Sequence, residues 1–267
     1  MSVQSVLEQS YADFEVIVVD NASEDRTAAI AQSFRDPRIR FIHYADNVGM
    51  AHNWDRALAE ARGRYVKIMT HDDLLYPACL ERQVRALEAH PEASLVAARR
   101  DIIDESGRVI KRDHGLRGLK GLVSGESSIR ATARSGGNPI GETVAVLARR
   151  SVVERLGPFD DSRPYVVDIE FWVRALDGHS LVALEDTLAA FRVSSTSLSV
   201  DVARRQGEQV RGFVRELRER YPDEVGRVGA LLGQLNATLK GHGRRALYRA
   251  LHLRRVLTHR DGPSSAA

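Results

Sequence analysis

The chain of 267 residues contains one cysteine, Cys79. A single thiol excludes a disulfide framework and any zinc or iron–sulfur site built from the cysteines of one chain. Long apolar runs are missing as well, and no stretch of about 18 apolar residues reads as a membrane-spanning helix. The amino terminus, MSVQSVLEQS, has no basic-then-apolar leader, so the expected compartment is the cytoplasm. Proline is scarce at 8 residues and glycine ordinary at 20; with 43% hydrophobic and 28% charged residues, disorder and collagen-like repeats are excluded. No two histidines stand at HxxxH spacing, which argues against a histidine-built metal site. Gly49 belongs to neither a GxGxxG nor a Walker loop, so a dinucleotide enzyme and a P-loop ATPase both lack their fingerprints.

What is present is charge asymmetry and alternation. Residues 202–267 hold 14 Lys+Arg against 6 Asp+Glu, a net of +8, which leaves −5 on residues 1–201. An acidic body with a basic appendage suggests that the appendage meets something anionic. Within the body, FEVIVVD (14–20), RIRFIHY (38–44) and YVKIMT (65–70) are strand-like, and the first is continuously apolar, as in a sheet covered on both faces. Helical spacing over 23–34 and 50–61 separates them. Strand, helix, strand predicts an α/β fold with a mostly parallel sheet flanked by helices. Further strands are expected at 94–99, 108–111, 143–148 and 188–193, with helices through Leu80–Leu87 and over 165–176. Residues 112–141 are rich in Gly and Ser and read as loop. Two apolar stripes follow, Val210/Phe213/Val214/Leu217/Tyr221 and Val228/Leu231/Leu232/Leu235/Leu239, and predict a helical extension. Met1–Gln9 also reads as a helix, so the chain opens on a helix where a doubly wound sheet would open on a strand.

Ligand sites of α/β sheets sit at the carboxyl ends of strands. Asp20 ends the first apolar run, and Asp72-Asp73 follows 65–70 with His71 beside it. Adjacent carboxylates repel unless a cation or hydrogen-bond donors offset the charge, and a hard cation shared with phosphate oxygens is one solution. The plainer alternative makes Asp73 a helix cap. Asp168, in VVDIEFW, is a carboxylate on an apolar approach to an aromatic helix, suited to general-base work; it too could be a cap, with Glu170 a solvated neighbour.

The stretch SVLEQSYADFEVIVVDNASED (5–25), Asn47-Val-Gly with Asn53, ARGRY (61–65) and the Asp pair resembles the opening of family-2 glycosyltransferases of the GT-A fold. GNPIGE (137–142), Arg149-Arg-Ser, GPFDD (157–161), DIEFWVR (168–174) and Phe191-Arg-Val-Ser resemble that family's acceptor half. The resemblance covers residues 2 to 200. It implies inverting transfer of a sugar from a nucleotide-diphosphate donor to a hydroxyl of a saccharide or lipid-linked acceptor, in cell-surface polysaccharide synthesis, with Mg²⁺ or Mn²⁺ as cofactor. Carried over, Asp20, Asn21 and Ser23 face the nucleoside, with Asn47, Gly49 and Asn53 on the donor side. Asp72, supported by Asp73, holds the metal against the diphosphate, and Asp168 is the base. Asn138, Gly141, Glu142, Glu170 and Trp172 fall on the acceptor side. Residues 1–110 then form the donor half, 111–200 the acceptor half and 201–267 a basic helical extension. Two departures stand out. The DxD motif is Thr70-His71-Asp72, without its first carboxylate. The family's first strand has no counterpart, which leaves a true start upstream of Met1, the expected case, or a damaged copy of the family.

Residues 240–260 carry seven Lys+Arg and no acid, with Ala246, Leu247, Ala250, Leu251, Leu253 and Leu257 on one side of a helical wheel. This pattern suits an anionic membrane surface on the inner face of the cell membrane. Nucleic acid is not expected as a partner, because aromatic interleaving is thin. The competing reading is a nucleotide-sugar-binding or carbohydrate-binding remnant without transfer. A nucleotidyltransferase is more remote, since it wants a Gly-rich basic loop near the amino terminus.

Overall fold

The computed structural model describes residues 1–193 and 206–241. The chain enters through α1 (Ser2–Leu7), then β1 (Val16–Asn21), α2 (Thr27–Ser33), β2 (Ile39–Tyr44) and α3 (Met50–Glu60). Two short strands, β3 (Tyr65–Val66) and β4 (Leu74–Leu75), lead to α4 (Cys79–Ala89) and the long β5 (Ala93–Ile103). After β6 (Val109–His114), β7 (Gly121–Ser124) and α5 (Gly125–Ser135), a 3₁₀ turn at Thr143–Ala145 opens β8 (Val146–Arg149) and α6 (Arg150–Leu156). The chain continues through α7 (Val167–Leu176), β9 (Ser180–Arg192) and α8 (Gln206–Arg220) to a helical stretch over 227–241.

The α/β architecture is as expected, but the sheet is mixed rather than mostly parallel. Seven strands form one sheet in the order β3-β8-β5-β9-β4, with β6 added to β5 and β7 to β9. Only β5 and β9 run parallel there; β1 and β2 form a separate parallel pair. Hairpin-like returns through β6, β7 and β8 supply the antiparallel pairings, and apolar runs alone do not encode strand direction. Segment 65–70 pairs over Tyr65–Val66 alone, and Lys67 is half-buried, with Nζ donating to the carbonyls of Val144 (2.7 Å) and Val146 (2.9 Å). Burial holds that amine below the ordinary lysine range.

Residues 112–141 hold β7 and α5 where a loop was expected. The Ser124 hydroxyl caps α5 by accepting the Ser127 N–H at 3.2 Å, and Gly136 ends it in the left-handed region at φ 58°. The glycines and serines in this stretch are therefore helix punctuation. Gly136 also lacks room for a Cβ against the Gly233 carbonyl, so the stretch 227–241 approaches α5 with its small side chains. Ala230 and Ala237 are buried while Val228, Leu231, Leu232, Leu235 and Leu239 are exposed. The helical extension is as expected, and its second apolar stripe faces outward. The first stripe is core: Val210, Phe213, Val214, Leu217 and Tyr221 pack on Ile169 and Val173 of α7.

An aromatic stack fixes α7 against the amino-terminal half. Phe159 stacks on Phe171 with ring centroids 3.9 Å apart and meets Trp54 of α3 edge-on at 5.2 Å. Aromatic pairs of this kind add to the burial of their area. Phe171→Ala is expected to cost about 3–5 kcal/mol in urea unfolding, as large-to-small core substitutions do, and Phe171→Leu clearly less.

Candidate active site

A single cleft of about 2110 Å³ takes in Asp20, Asn21, Asn47, Gly49 and Asn53 at one end, Asp72 at its middle and Asn138, Glu142 and Asp168 at the other. Carboxyl ends of strands and amino ends of helices converge on it.

At the amino-terminal end, Asp20 closes β1 and is buried. Its Oδ2 lies 2.8 Å from His43 Nδ1 and 3.4 Å from the Ser23 amide. Burial pushes the Asp20 carboxyl up, but the contacts with Ser23 and His43 outweigh it and hold it below its ordinary value. Asn21 Oδ1 accepts the Val48 N–H at 3.1 Å, and Asn21 Nδ2 donates to Asn47 Oδ1 at 2.8 Å. Asn47 Oδ1 in turn accepts the Gly49 N–H at 3.0 Å. The two asparagines thus hold the turn that starts α3. Asn53 Oδ1 on α3 is buried with no hydrogen-bond partner among the described residues.

In the middle, the two adjacent aspartates have parted roles. Asp73 is fully buried; Oδ2 accepts the Thr70 hydroxyl at 2.6 Å and Oδ1 the Arg192 N–H at 2.9 Å. Burial pushes its carboxyl up to about 7 against these hydrogen bonds. Asp73 therefore ties the turn after 65–70 to the end of β9 and has both oxygens occupied. Asp72 is half-buried in the cleft, and its carboxylate makes no hydrogen bond or ion pair among the described residues, while its carbonyl accepts from Arg192 Nε at 2.9 Å. One free carboxylate beside an exposed His71 fits a hard cation that takes its remaining ligands from phosphate oxygens and water. It does not fit an all-protein cage, and no group of three potential ligands occurs among the described residues.

At the far end, Asp168 stands in the first turn of α7 and keeps part of its surface open to the cleft. Asn138 Nδ2 donates to its Oδ2 at 2.8 Å and the Ile169 N–H to its Oδ1 at 2.8 Å. Burial first, then the neighbouring Glu142 charge, pushes the carboxyl up to about 7, against the Ile169 amide and Arg100. Glu142 is held below its ordinary value despite burial, because it pairs with the guanidinium of the fully buried Arg100. Asn138 also closes its own turn, accepting the Gly141 N–H at 2.8 Å and donating to the Gly141 carbonyl at 3.0 Å. Gly141 sits at φ 137°, and a Cβ there would meet Ala145 Cβ at 2.7 Å.

Two residues expected on the acceptor side lie elsewhere. Trp172 is buried, stacks edge-on with Phe171 and donates Nε1 to the Gly141 carbonyl at 3.1 Å; it supports the turn from behind. Glu170 is buried and engaged by Arg174 Nε at 2.8 Å, and Arg174 also donates to the carbonyls of Leu156 and Pro158. One helical turn separates residues that face the cleft from those that face the core, so adjacency to Asp168 in sequence misplaced both. Arg100 and Arg192 were missed. Their signal is an arginine within or at the end of a largely apolar strand-like stretch, where a charge needs a partner.

Asp168 gives the site a pH signature in stability. Its folded pKa lies above its unfolded value, so the parent loses stability as pH rises from about 4 to about 7, where the unfolded carboxyl ionises and the folded one resists. Asp168→Asn is expected to gain stability relative to the parent across that window, as measured by urea unfolding at several pH values.

Comparison with known proteins bears on the family and the fold. The family model described as glycosyl transferase family 2 matches residues 2–157. An uncharacterized protein of Mycobacterium tuberculosis is 32% identical over 182 residues, covering 65% of this chain and 56% of its own length. The chain thus spans little more than half of that relative. EpsE of Bacillus subtilis, named as a glycosyltransferase, is 29% identical over 216 residues, covering 76% of this chain and 73% of its own. Among solved structures, TarS (1–349) of S. aureus with UDP-GlcNAc superposes with a TM-score of 0.61 at 16% identity, covering 84% of this chain and 67% of that one. A mannosyltransferase of Pyrobaculum calidifontis with GDP-Man and Mn²⁺ gives a TM-score of 0.59 at 21% identity, covering 94% and 75%. With the matched span covering more than half of its residues, the chain belongs to glycosyl transferase family 2.

Proposed function

We propose that this chain catalyses inverting transfer of a sugar from a nucleotide-diphosphate donor to a hydroxyl of a saccharide or lipid-linked acceptor. The observation that carries this reading is the placement of Asp168, a carboxyl pushed up to about 7, in the same cleft as the free carboxylate of Asp72 and the Asp20–Asn21–Asn47 end. Residues 1–110 supply the donor half and 111–200 the acceptor half. The neighbours with UDP-GlcNAc and GDP-Man support a nucleotide sugar as donor.

Each residue has a part that follows from its surroundings. Asp20, Asn21 and Ser23 receive the nucleoside, and Asn53 Oδ1 offers a further acceptor. Asp72 would hold Mg²⁺ or Mn²⁺, which neutralises charge on the leaving diphosphate when bound. Asp168 takes the proton of the acceptor hydroxyl as that oxygen attacks the anomeric carbon. A base near neutrality is matched to this task, being ionised in part at pH 7 yet strong enough to accept the proton. Asn138 and the Ile169 amide keep both carboxylate oxygens oriented. One displacement with one base inverts the configuration and forms no covalent intermediate.

A second reading, binding without transfer, is favoured by one observation: β1 and β3 each have a single strand partner among the described residues. Titration calorimetry with Mn²⁺ and UDP, dTDP or GDP separates the readings when paired with a transfer assay. Asp168→Asn is expected to lower transfer by at least about 100-fold, a typical general-base contribution, while leaving metal-dependent nucleotide binding intact. Asp72→Ala is expected to remove the metal dependence of binding. Transfer retained in Asp168→Asn would refute its role as base.

Residues 240–260, nearly all outside the described residues, would add a lipid contact on the inner face of the cell membrane. The exposed leucines of 227–241 run toward this basic segment. Flotation with vesicles containing anionic lipid is expected to fall when 240–267 are deleted, and unchanged flotation would contradict the lipid contact.

A further inference from the structure

The side that the helical stretch 227–241 turns to solvent is apolar. Of the nine exposed large apolar side chains among the described residues, five stand on it: Val228, Leu231, Leu232, Leu235 and Leu239, at 38–72% exposure. At about 100° per residue the five share an arc of about 100°, one stripe along about three turns. Ala230, Gly233 and Ala237 lie opposite and are buried. A Cβ at Gly233 would collide with the Ala133 carbonyl, so the small side is seated on α5 and the leucines are held outward. A contiguous apolar stripe of this size marks an interaction face.

The rim of the stripe is cationic. Arg227 and Lys240 close its two ends, and Arg134 of α5 lies alongside, its Cγ 3.4 Å from where a Cβ on Gly229 would stand. Lys240 Nζ donates to the Ser135 carbonyl at 2.8 Å. Desolvation first, then the nearby charges of Lys111 and Arg117, holds that amine below its ordinary range. Lys111 and Arg117 are exposed, and none of these five cations makes an ion pair among the described residues. Residues 225–260 carry eight Lys+Arg and no Asp or Glu. A second copy laid along the stripe in either direction sets Arg227 and Lys240 against other cations, which disfavours it as the occupant. An occupant that is apolar in depth and anionic at its surface matches both parts, and a bilayer with anionic headgroups has that layering.

The same rim adjoins the candidate active site. Lys240 Nζ lies 3.4 Å from where a Cβ on Gly137 would stand. Gly137, Lys111 and His114 line the cleft, as do Asn138 and Asp168. Asn138, next in the chain, is the residue that donates to Asp168.

We propose that the leucine stripe of 227–241 sits in the interfacial layer of an anionic membrane, with Arg134, Lys240, Lys111 and Arg117 on its phosphates, so that the Asn138–Asp168 end of the cleft opens at that surface. This contact is made by the described body, apart from any made by residues beyond 241. A lipid-linked acceptor would then be presented to Asp168 by the membrane itself; that clause rests on the transfer reading above, whereas the docking does not.

The test mixes the full chain with vesicles of phosphatidylcholine, with or without phosphatidylglycerol, and reads co-sedimentation. Neither donor nor acceptor is present, so failure of docking and failure of transfer are read separately. Binding is expected with phosphatidylglycerol and not with phosphatidylcholine alone. Leu231→Gln/Leu235→Gln, which keeps 242–267, is expected to weaken it by at least about tenfold with thermal unfolding unchanged, because both side chains are exposed. Arg117→Gln/Arg134→Gln leaves the stripe intact and is expected to weaken it about fivefold for each charge removed. Cys79 is buried, so a thiol-reactive dye can be placed on Leu235→Cys, Lys111→Cys or Glu24→Cys, the last beside Ser23 at the opposite end of the cleft. Headgroup spin-labelled lipid is expected to quench the dye at 235 and 111 and not at 24. Undiminished binding by Leu231→Gln/Leu235→Gln would overturn the proposal, as would equal binding to phosphatidylcholine alone or no binding by the full chain. Quenching at 235 without quenching at 111 would overturn the placement of the cleft. A blue shift at 235 that rises with protein concentration in the absence of vesicles would also overturn it, since a second copy would then be the occupant.

Discussion

The parallel pairing of β5 with β9 is the constraint on which the rest of the molecule depends. These two strands run side by side from Ala93↔Ser180 to Ile103↔Arg192, and each contributes one arginine that holds a group lining the cleft. From β5, Arg100 enters the core with no exposed surface and neutralises Glu142. From β9, Arg192 gives its amide to Asp73, its Nε to the Asp72 carbonyl and its Nη1 to the Asp104 carbonyl. Arg192 thereby ties the turn that carries Asp72 to β9, while Asn138 holds Asp168 at the start of α7.

Electrostatics divides labour among carboxylates of similar sequence context. Asp73 and Asp168 are both pushed up to about 7 chiefly by burial. Asp73 has every oxygen committed to the protein, so its raised value reflects the strain of structural burial. Asp168 keeps part of its surface open to the cleft, and its two hydrogen bonds orient it without closing it off. Glu142, between Asp168 and Arg100, stays charged and raises its neighbour further. Removing the Arg100 charge would leave Glu142 as an uncompensated buried anion, which is why the pair belongs to the fold as much as to the site.

Much of this was legible in the sequence because it is written in local patterns. The runs at 14–20 and 38–44, the helical spacing of 50–61 and the stripe from Val210 to Tyr221 all mark elements that exist. Asp20, Asp72 and Asp168 fall in one cleft because strand ends and helix starts converge in α/β folds. The misses have physical causes. The helix α5 is hidden by Ser124, Gly125 and Gly136, whose capping roles mimic loop composition. Glu170 and Trp172 sit on the core side of α7, and their facing depends on how α5, α6 and α8 pack on that helix. The outward leucines of 227–241 follow from Gly233 fitting closely against the carbonyl of Ala133; a small-residue contact of this kind outweighed the larger apolar side.

The central claim is that one fold holds Asp168 poised as a base across the cleft from Asp72. The most direct test is a carboxyl-carbon NMR titration of the parent chain, with the Asp168 resonance assigned by its absence in Asp168→Asn. The account predicts that Asp168 titrates at about 7. Titration in the ordinary carboxylate range near 4 would contradict it, because a carboxyl that ionises so readily is neither desolvated nor matched to taking a proton from a hydroxyl.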